Sequence, residues 1–436
     1  MSSNRLLHIN DKLGRHPPSW YAATAIGQPQ LGRLNGRHDC DVAVVGGGFT
    51  GLSAALHLAD RGYKVVLLEA QRVGWGASGR NGGQVGTGQR LEQDELEKLV
   101  GLELAREAWN IAERAKARLK QLVAENDIPC DLRAGCIHVN HRARYDNHSE
   151  RFAALLNERY GYEQIRYVPK SEMQELVGSS DYSGGTLDMG AAHLHPLNYA
   201  LGIARAALQA GVEIYEQSEV LSVDYGDTCV LKTAGGELRS RYLVYACNGY
   251  LGELEKTVAR RVMPINNYVI ATEPLGESRA RQLISNGACV ADSRFVVNYY
   301  RCSSDHRLLF GGGESYGYRF PTDIKSFVRK YMLKIYPQLS DVKIEYGWGG
   351  TLAITMSRLP CFERVRANVI SASGYSGSGV ALATGAGEML AEAIDGVASR
   401  FDVMNKLPTP LFPGGATLRS PLLALAMTWY ALRDRL

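Results

Sequence analysis

The stretch Cys40–Glu69 contains, without interruption, a strand, a glycine-rich turn, a helix, a second strand and an acidic residue. Short apolar runs predict the two strands, and Gly46, Gly48 and Gly51 form a G-x-G-x-x-G pattern where the helical repeat begins. Gly46 permits the tight turn, Gly48 lets a pyrophosphate approach the backbone, and Gly51 lets the helix pack closely on the strands. This unit predicts a Rossmann-like α/β fold that binds a dinucleotide.

The helix and the acid of this unit supply two kinds of contact for such a ligand. The free N–H groups and the positive end of the helix dipole favour a pyrophosphate at the helix N-terminus. Glu69, with Ala70 beside it, is placed to accept hydrogen bonds from an adenosine ribose, and an acid there disfavours a 2′-phosphate. The pattern alone does not separate FAD from NAD, and a glycine-rich loop also arises for purely steric reasons.

A second glycine cluster directly after the acid, Gly74–Gly88, favours a flavin. Its backbone has little side-chain bulk and can lie against a long, permanently bound cofactor. A flexible linker is the alternative, but a linker has no need of Arg80 among the glycines. The residues of this cluster that we expect to contact the cofactor are Gly76, Ala77, Ser78, Asn81, Gly82, Gly83 and Gln84.

Two later segments also have the character of a strand that opens towards a ligand. Residues 367–394 run from a strand through small residues into a helix, whose N-terminus would stabilise negative charge on a flavin ring as it is reduced. Residues 243–252 form an apolar strand that ends in Asn-Gly, and a strand near residue 220 is placed to meet the adenine. The expected cofactor contacts from these segments are Val220, Asn248, Gly249, Gly374, Tyr375, Gly377, Gly379 and Val380.

The length of 436 residues exceeds a single hydrophobic core and predicts two domains. The predicted fold class is α/β, with an FAD-binding Rossmann-like domain of the glutathione-reductase type and a second α+β substrate domain built on an antiparallel sheet. The predicted boundaries are an N-terminal extension at 1–38, a discontinuous FAD-binding domain at 39–90, 186–258 and 351–405, a substrate or cap domain at 91–185 and 259–350, and a C-terminal extension with an apolar helix at 406–436.

Composition excludes several classes of partner. A hydrophobic fraction of 45% with 22% charged residues is typical of a soluble globular protein. The net charge of +4 is weak and the basic stretches are short, so we expect no nucleic-acid partner. The eight cysteines are scattered without a C-x-x-C pair, and no secretory signal precedes the glycine motif, so we expect a cytoplasmic protein.

Membrane and metal sites are not expected either. No stretch reaches the roughly 18 apolar residues of a spanning helix. The short apolar segment 421–432 is compatible with contact to a membrane surface, but we favour docking onto the body of the protein or onto a neighbouring subunit, which leaves a homo-oligomer open. His193 and His195 are two residues apart and supply at most two ligands, so we expect no metal.

The glycine motifs resemble the D-amino-acid oxidase group of flavoproteins, alongside glycine and sarcosine oxidases, through 46–51, 76–83 and 374–379. Over nearly its whole length the chain is also similar to the bacterial γ-glutamylputrescine oxidoreductases. The tail is the most specific part of this similarity, because it has no obvious role in flavin binding. The segments that show it are Ser19–Ala23, His193–Asn198, Tyr299–Arg301, Arg307–Gly313, Phe412–Gly415 and Leu432–Leu436.

This resemblance implies an FAD-dependent amine oxidoreductase of polyamine (putrescine) catabolism. The reaction would convert γ-glutamylputrescine, or a related γ-glutamyl-polyamine, to the aldehyde with release of ammonia and H₂O₂. The site must bind a neutral amine although an alkylammonium has a pKa of roughly 10, and burial among aromatic and apolar groups favours the neutral form. We expect tyrosines to shape such a pocket, with a buried core position as the alternative for each; the candidates are Tyr299, Tyr300, Tyr316 and Tyr375.

A γ-glutamyl substrate also has an α-carboxylate at its far end, which a bidentate arginine would recognise. Arg301 and Arg358 are the candidates, with a surface ion pair as the alternative. His195 lies in a segment shared with the relatives and is a candidate for contact with the flavin or the substrate. The alternative for His195, which we favour, is a helix cap or a core position.

Two departures from the wider group shape the remaining expectations. Sarcosine oxidases attach their flavin covalently through a cysteine. The corresponding segment here, 352–357, contains no cysteine, although Cys361 is near. We therefore expect non-covalent FAD. The same relatives use a lysine to activate oxygen, and at the similar place this chain has Phe310–Gly313, which contains no lysine. The electron acceptor is therefore either O₂ or another molecule. The alternatives are an amino-acid-deaminating flavoenzyme of the same fold and a non-catalytic flavin-binding electron carrier.

Overall fold

The computed structural model describes residues 5–315 and 317–413 of the chain. The predicted apolar helix at 421–432 and the candidate Tyr316 therefore lie outside the described residues. Among the described residues, no helix is long and apolar enough to cross a membrane.

The strands predicted around the glycine motif form the centre of the first sheet, in the order β16-β17-β10-β1-β2-β7. The five strands from β17 to β7 are parallel, β16 pairs antiparallel at one edge, and β8 and β9 extend from β10. The eight strands are β1 Gly36–Val45, β2 Val65–Leu68, β7 Glu213–Tyr215, β8 Ser222–Asp224, β9 Cys229–Lys232, β10 Gly236–Tyr245, β16 Cys361–Arg366 and β17 Val369–Ser373.

The second sheet has the order β15-β11-β14-β13-β12-β4-β6-β3, with β5 paired to β6. All of its pairs are antiparallel except that of β12 with β4. The nine strands are β3 Gln84–Val85, β4 Arg133–Val139, β5 Ile165–Val168, β6 Gly185–His193, β11 Met263–Thr272, β12 Cys289–Asp292, β13 Tyr299–Cys302, β14 Leu308–Ser315 and β15 Ile344–Ile354.

Helices and 3₁₀ turns lie between the strands of the described chain. Four 3₁₀ turns lie at 77–79, 143–145, 248–250 and 337–339. The α-helices are α1 Arg5–His8, α2 Trp20–Ala23, α3 Phe49–Ala59, α4 Gln93–Val100, α5 Leu102–Glu125, α6 Asp146–Tyr160, α7 Lys170–Leu176, α8 Pro196–Gln209, α9 Lys256–Ala259, α10 Glu277–Leu283, α11 Ile324–Ile335, α12 Gly379–Ile394 and α13 Ser399–Lys406.

The first sheet is buried on both faces, as its continuous apolar strands require. Along β1, Val42 and Val44 face a large core that includes residues of α3, α5, α8 and α12, while Ala43 and Val45 face a second core shared with β9 and β10. A further core fills the space between the second sheet and α11. The predicted fold class is thus confirmed, with two sheets that share the large core, since Val269 and Ala271 of β11 also pack into it.

The sheets divide the chain at slightly different places from the predicted boundaries. Strand β6 belongs to the second sheet, although its residues from 186 onward were expected in the FAD-binding domain. Helix α5 was expected in the cap, but its buried face, including Ala112 and Leu119, packs into the core of the first sheet. The reason is that 102–125 is amphipathic, and its apolar stripe faces α12 rather than a separate cap core.

Candidate active site

The carboxyl ends of four parallel strands open into one cleft with a volume of 980 Å³. Gly46 follows β1, Glu69 follows β2, Ala246 follows β10 and Tyr375 lies just beyond β17, and all four residues line the cleft. This is the position at which open α/β sheets bind ligands. The second sheet closes the far part of the same cleft.

We call the part of the cleft formed by 46–50, 69–70, 76–84 and 375–380 the cradle. All of the predicted cofactor-binding residues line the cleft except Gly51, Gly83, Gly249 and Gly374. These four glycines lie directly behind it. The amide of Gly374, for example, donates to Asn248 Oδ1 at 3.0 Å, and Asn248 lines the cleft.

The glycine motif keeps the cradle free of side chains. Gly46 has a φ of +113°, and a Cβ on it would lie 2.7 Å from the carbonyl oxygen of Ala246. A Cβ on Gly51 would lie 1.9 Å from the carbonyl oxygen of Gly46, closer than any real contact. Gly51 therefore fixes the distance between α3 and β1, which places the N-terminus of α3 at the cleft.

The N-terminus of α3 meets the requirements of a pyrophosphate site. Its cap residue, Gly48, has no side chain, and Gly48, Phe49 and Thr50 line the cleft. Among the described residues, only the Phe49 amide of these three bonds a side chain, donating to Ser78 Oγ at 3.0 Å. First-turn N–H groups without an internal partner, together with the helix dipole, favour a bound anion.

Glu69 provides the acidic end of the cradle. Its carboxylate accepts hydrogen bonds from the amides of Gly47 at 2.7 Å and Gln71 at 2.8 Å, and its side chain is 9% exposed where it lines the cleft. Burial raises the pKa of Glu69 to about 7. The carboxylate is thus held rigidly where a ribose hydroxyl of a dinucleotide would lie.

Asn81 braces the second glycine cluster from within. Its amide donates to the carbonyls of Ala77 and Ser78 at 2.9 and 3.0 Å, and its Oδ1 accepts from the Gly83 amide at 2.7 Å. A flexible linker would have no such internal hydrogen bonds. The loop instead presents an ordered backbone to the cleft, as a permanently bound cofactor requires.

Two helix N-termini meet at the cradle. Residues 375–380 lead into α12 and line the cleft opposite α3. The hydroxyl of Tyr375 bonds Thr50 Oγ1 at 2.6 Å and so ties the two helix starts together. Thr50 was not among the predicted residues, although its place in the first turn after the motif was a usable signal. The cradle therefore fits both the pyrophosphate and the ring of the flavin predicted from the sequence.

We call the far part of the cleft the chamber. It lies beyond the cradle on the side of the second sheet, and its wall combines aromatic, amide and charged side chains. The hydroxyl of Tyr299, on β13, donates to Asn267 Oδ1 on β11 at 2.6 Å, and both residues line the cleft. The residues that define the chamber are Arg90, His138, Asp188, Asn267, Phe295, Tyr299, Leu352 and Arg358.

The structure places Tyr300 away from the cleft. Successive residues of a strand face opposite sides, so when Tyr299 faces the chamber Tyr300 must face the core. The Tyr300 ring stacks on Phe310, with centroids 5.3 Å apart and planes 6° apart, and the side chain is 1% exposed. The predicted role of Tyr300 at the substrate is therefore replaced by a packing role.

Arg301 does not line the cleft either. It is 1% exposed, its Nε donates to the carbonyl of Gly82 at 3.0 Å, and its guanidinium lies 6.0 Å from the Tyr21 ring centroid. It supports the cofactor loop from behind and is not accessible to a substrate carboxylate. Of the two predicted arginines, Arg358 alone lines the chamber.

His195 is a helix cap. Its Nδ1 accepts the amide of Asn198 at 3.1 Å at the start of α8, and its ring packs between Trp20 and Tyr21. Burial and the charge of Arg301 lower the pKa of His195 to about 3, so its ring is neutral at pH 7. His195 is therefore the helix cap that the sequence analysis favoured, and it does not line the cleft where flavin or substrate would bind.

Comparisons with known proteins show the family of the chain. The family model described as FAD dependent oxidoreductase (DAO) matches residues 41–393. The chain is 41% identical over 426 residues to the gamma-glutamylputrescine oxidoreductase of Escherichia coli (strain K12), covering 97% of this chain and 99% of that protein. It is also 41% identical over 418 residues to the probable oxidoreductase OrdL of Rhizobium meliloti (strain 1021), covering 96% and 97%.

Solved structures show the same fold. The glycine oxidase of Geobacillus kaustophilus superposes with a TM-score of 0.69 at 21% identity and covers 82% of this chain and 95% of that one. The L-proline dehydrogenase of P. horikoshii superposes with a TM-score of 0.69 at 22% identity and covers 85% and 96%.

Proposed function

The chain belongs to the DAO family of FAD-dependent oxidoreductases, and from this premise we propose that it oxidises γ-glutamylputrescine at its primary amine. The products would be the corresponding aldehyde and ammonia. The observation that supports this substrate most directly is the 41% identity to the Escherichia coli gamma-glutamylputrescine oxidoreductase over 97% of this chain. The chamber supports it independently, because a non-catalytic flavin carrier has no need of a large polar and aromatic cavity beside its cofactor.

Bound FAD would accept the hydride from the carbon next to the amine nitrogen, and water would then convert the imine to aldehyde and ammonia. The protein supplies binding, orientation and the right protonation state. The N-terminus of α3 would hold the pyrophosphate, and the dipole of α12 would favour negative charge that develops on the flavin ring. The loop at 76–84, which is braced by Asn81, would hold the cofactor in place.

Tyr299 is the residue that we assign to amine binding. Its hydroxyl hydrogen is donated to Asn267, so the hydroxyl oxygen is left to accept an N–H from a substrate amine. Burial raises the pKa of Tyr299, and the hydroxyl therefore stays protonated and does not act as a base at neutral pH. The wall that contains Leu352 and Phe295 favours the neutral amine over the ammonium.

The FAD is proposed to be held without a covalent bond. Cys361, the cysteine nearest to the segment used for attachment in sarcosine oxidases, is fully buried, does not line the cleft and accepts a weak hydrogen bond from Thr409 Oγ1 at 3.8 Å. All eight cysteines are free thiols, which supports a reducing, cytoplasmic location.

The electron acceptor is proposed to be O₂, with formation of H₂O₂. A different acceptor is the second candidate, because no lysine is among the described residues that line the cleft. The sarcosine oxidases use the positive charge of a lysine to activate oxygen. The two acceptors give different products and are separated by one assay.

The test is a turnover assay of the purified FAD-bound protein in air with a panel of amines. We expect γ-glutamylputrescine to give aldehyde, ammonia and peroxide in equal amounts, at a kcat/KM well above those of glycine, sarcosine and D-alanine. Aldehyde without peroxide, and only when an artificial electron acceptor is added, would establish a dehydrogenase. Preferential oxidation of an amino acid would overturn the proposed substrate and favour an amino-acid-deaminating enzyme.

A further inference from the structure

Four arginines line the cleft among the described residues, and they fall into two pairs. Arg80 and Arg294 are neutralised within the protein. Arg80 bonds Asp11 at 2.7 Å, and Arg294 forms ion pairs with Asp181 and Asp292. Each of these two arginines therefore already has a carboxylate partner within the protein.

Arg90 and Arg358 differ, because no carboxylate of the described residues lies within the 4.0 Å of an ion pair from either guanidinium. Both are half-buried in loops, Arg90 just before α4 and Arg358 in the turn between β15 and β16. Removing a cation from water without a partner is costly. Two such cations on one cavity indicate that an anion neutralises them when the site is filled.

The two arginines also act on each other. Burial and the nearby charge of Arg358 lower the pKa of Arg90. The backbone of Arg358 has a φ of +63°, in the left-handed region that few arginines adopt, and its guanidinium lies 5.8 Å from the Phe295 ring centroid. This turn and the aromatic ring hold the Arg358 side chain at the wall of the chamber instead of letting it extend into solvent.

The surrounding charge is mixed. Glu92, Glu95 and Glu314 lie within electrostatic reach of Arg90 and raise its pKa without neutralising it. A field that contains both signs suits a group that has both signs, such as the amino-acid end of a glutamyl substituent. A free diamine has only a second ammonium to offer, and so it has no anionic group for the two arginines to bind.

We infer that Arg90 and Arg358 together bind the far carboxylate of the substrate and thereby select an acylated polyamine with a carboxylate over a free or uncharged polyamine. This inference rests on the proposed function. Guanidinium groups bind carboxylates through two parallel hydrogen bonds, and two guanidiniums are able to take one oxygen each or share both. Arg90 thus becomes a specificity-determining residue that no motif in the sequence indicated.

The experiment compares three substrates that share the reacting amine: γ-glutamylputrescine, N-acetylputrescine, which has no carboxylate, and putrescine. The variants are Arg90→Gln, Arg358→Gln and the double variant, with FAD content as the check on folding. Arg281→Gln, on the exposed face of α10, is the matched control and should behave as the wild type. The expected loss in kcat/KM for γ-glutamylputrescine is about 10- to 100-fold for each single variant, mainly through KM, from the loss of a hydrogen bond to a charged group.

The same variants should lose much less on N-acetylputrescine, so the ratio of the two kcat/KM values should fall. Arg358→Lys provides a second reading in case Arg358→Gln lacks FAD, and it should lie between wild type and Gln in that ratio. If the wild type oxidises γ-glutamylputrescine but none of the variants changes the ratio, the inference is overturned and the proposed function stands. If the wild type does not oxidise γ-glutamylputrescine at all, both are overturned.

Discussion

The cradle and the chamber share one cleft, but the chain builds them by opposite means. The cradle is made by backbone at the ends of parallel strands, and it depends on atoms that are absent, as at Gly46 and Gly51. The chamber is made by side chains of an antiparallel sheet, and it depends on atoms that are present, such as the hydroxyl of Tyr299. An added atom should therefore damage the cradle, while the removal of an atom should alter the chamber.

The largest effect is expected from Gly51→Ala in the cradle. The new Cβ would lie 1.9 Å from the Gly46 carbonyl oxygen, so α3 has to move away from β1 and the anion site is lost. We expect protein without FAD and with a lowered thermal midpoint, measured by the ratio of flavin to protein absorbance and by calorimetry. Gly32→Ala is the control, because a Cβ there meets nothing within 4 Å. A Gly51→Ala protein that binds one FAD per chain would contradict the statement that an added atom damages the cradle.

Glu69→Gln should have the next largest effect. The carboxylate accepts from the amides of Gly47 and Gln71, and a glutamine would turn its NH₂ towards one of these two donors. An unsatisfied buried donor costs about 1–3 kcal/mol, which corresponds to roughly 10- to 100-fold weaker FAD binding. Fluorescence titration of the apoprotein with FAD measures this. Glu92→Gln, at the chamber end, should leave FAD affinity unchanged, and an equal effect of both would contradict the division of the cleft.

A pair of neighbouring tyrosines sharpens the comparison between chamber and core. Tyr299→Phe removes the hydroxyl that bonds Asn267 and faces the chamber, so kcat/KM for the amine should fall about 10-fold, as expected for the loss of one hydrogen bond. Tyr300→Phe removes a buried hydroxyl that bonds no side chain or backbone atom of the described residues, and it should leave kcat/KM unchanged. Steady-state kinetics on both variants gives the answer, and a larger loss for Tyr300→Phe would reverse our assignment.

The smallest effect is expected at His195, which belongs to neither region. The folded pKa of about 3 lies below the ordinary 6.5, so the unfolded chain takes up the proton first. Stability from this residue is therefore fully present above pH 6.5 and is lost as the pH falls towards 3. His195→Asn keeps a cap acceptor and should lose less stability between pH 7 and 5, by up to about 2 kcal/mol, in urea unfolding. A shift in the pH profile of kcat would instead restore a catalytic role for His195.

The cradle was predictable from the sequence because its parts are contiguous. A glycine pattern, an adjoining helix and an acid about 20 residues later specify a local structure that the rest of the chain does not alter. The assignment of Glu69 and of the loop at 76–84 needed no knowledge of strand pairing. Thr50 was not predicted, because its hydroxyl bonds Tyr375, which is distant in the sequence.

The chamber was predictable only in part, because a sequence does not reveal which face of a strand is turned to a cavity. Tyr299 and Tyr300 are equally aromatic, and only the pairing of β13 with β14 decides between them. Arg301 and Arg358 were equally good carboxylate candidates until the fold placed Arg301 behind Gly82. Arg90 could not be predicted, because only the fold shows that its guanidinium lines the cleft without a carboxylate partner among the described residues.

We propose that the cofactor in the cradle and γ-glutamylputrescine in the chamber meet in one cleft. The most direct test is to mix the purified FAD-bound protein with γ-glutamylputrescine without oxygen and to follow the visible flavin absorbance. We predict rapid and complete bleaching, with one aldehyde formed for each flavin reduced. An unchanged absorbance with γ-glutamylputrescine, in a protein that glycine, sarcosine or a D-amino acid does bleach, would contradict γ-glutamylputrescine as the substrate.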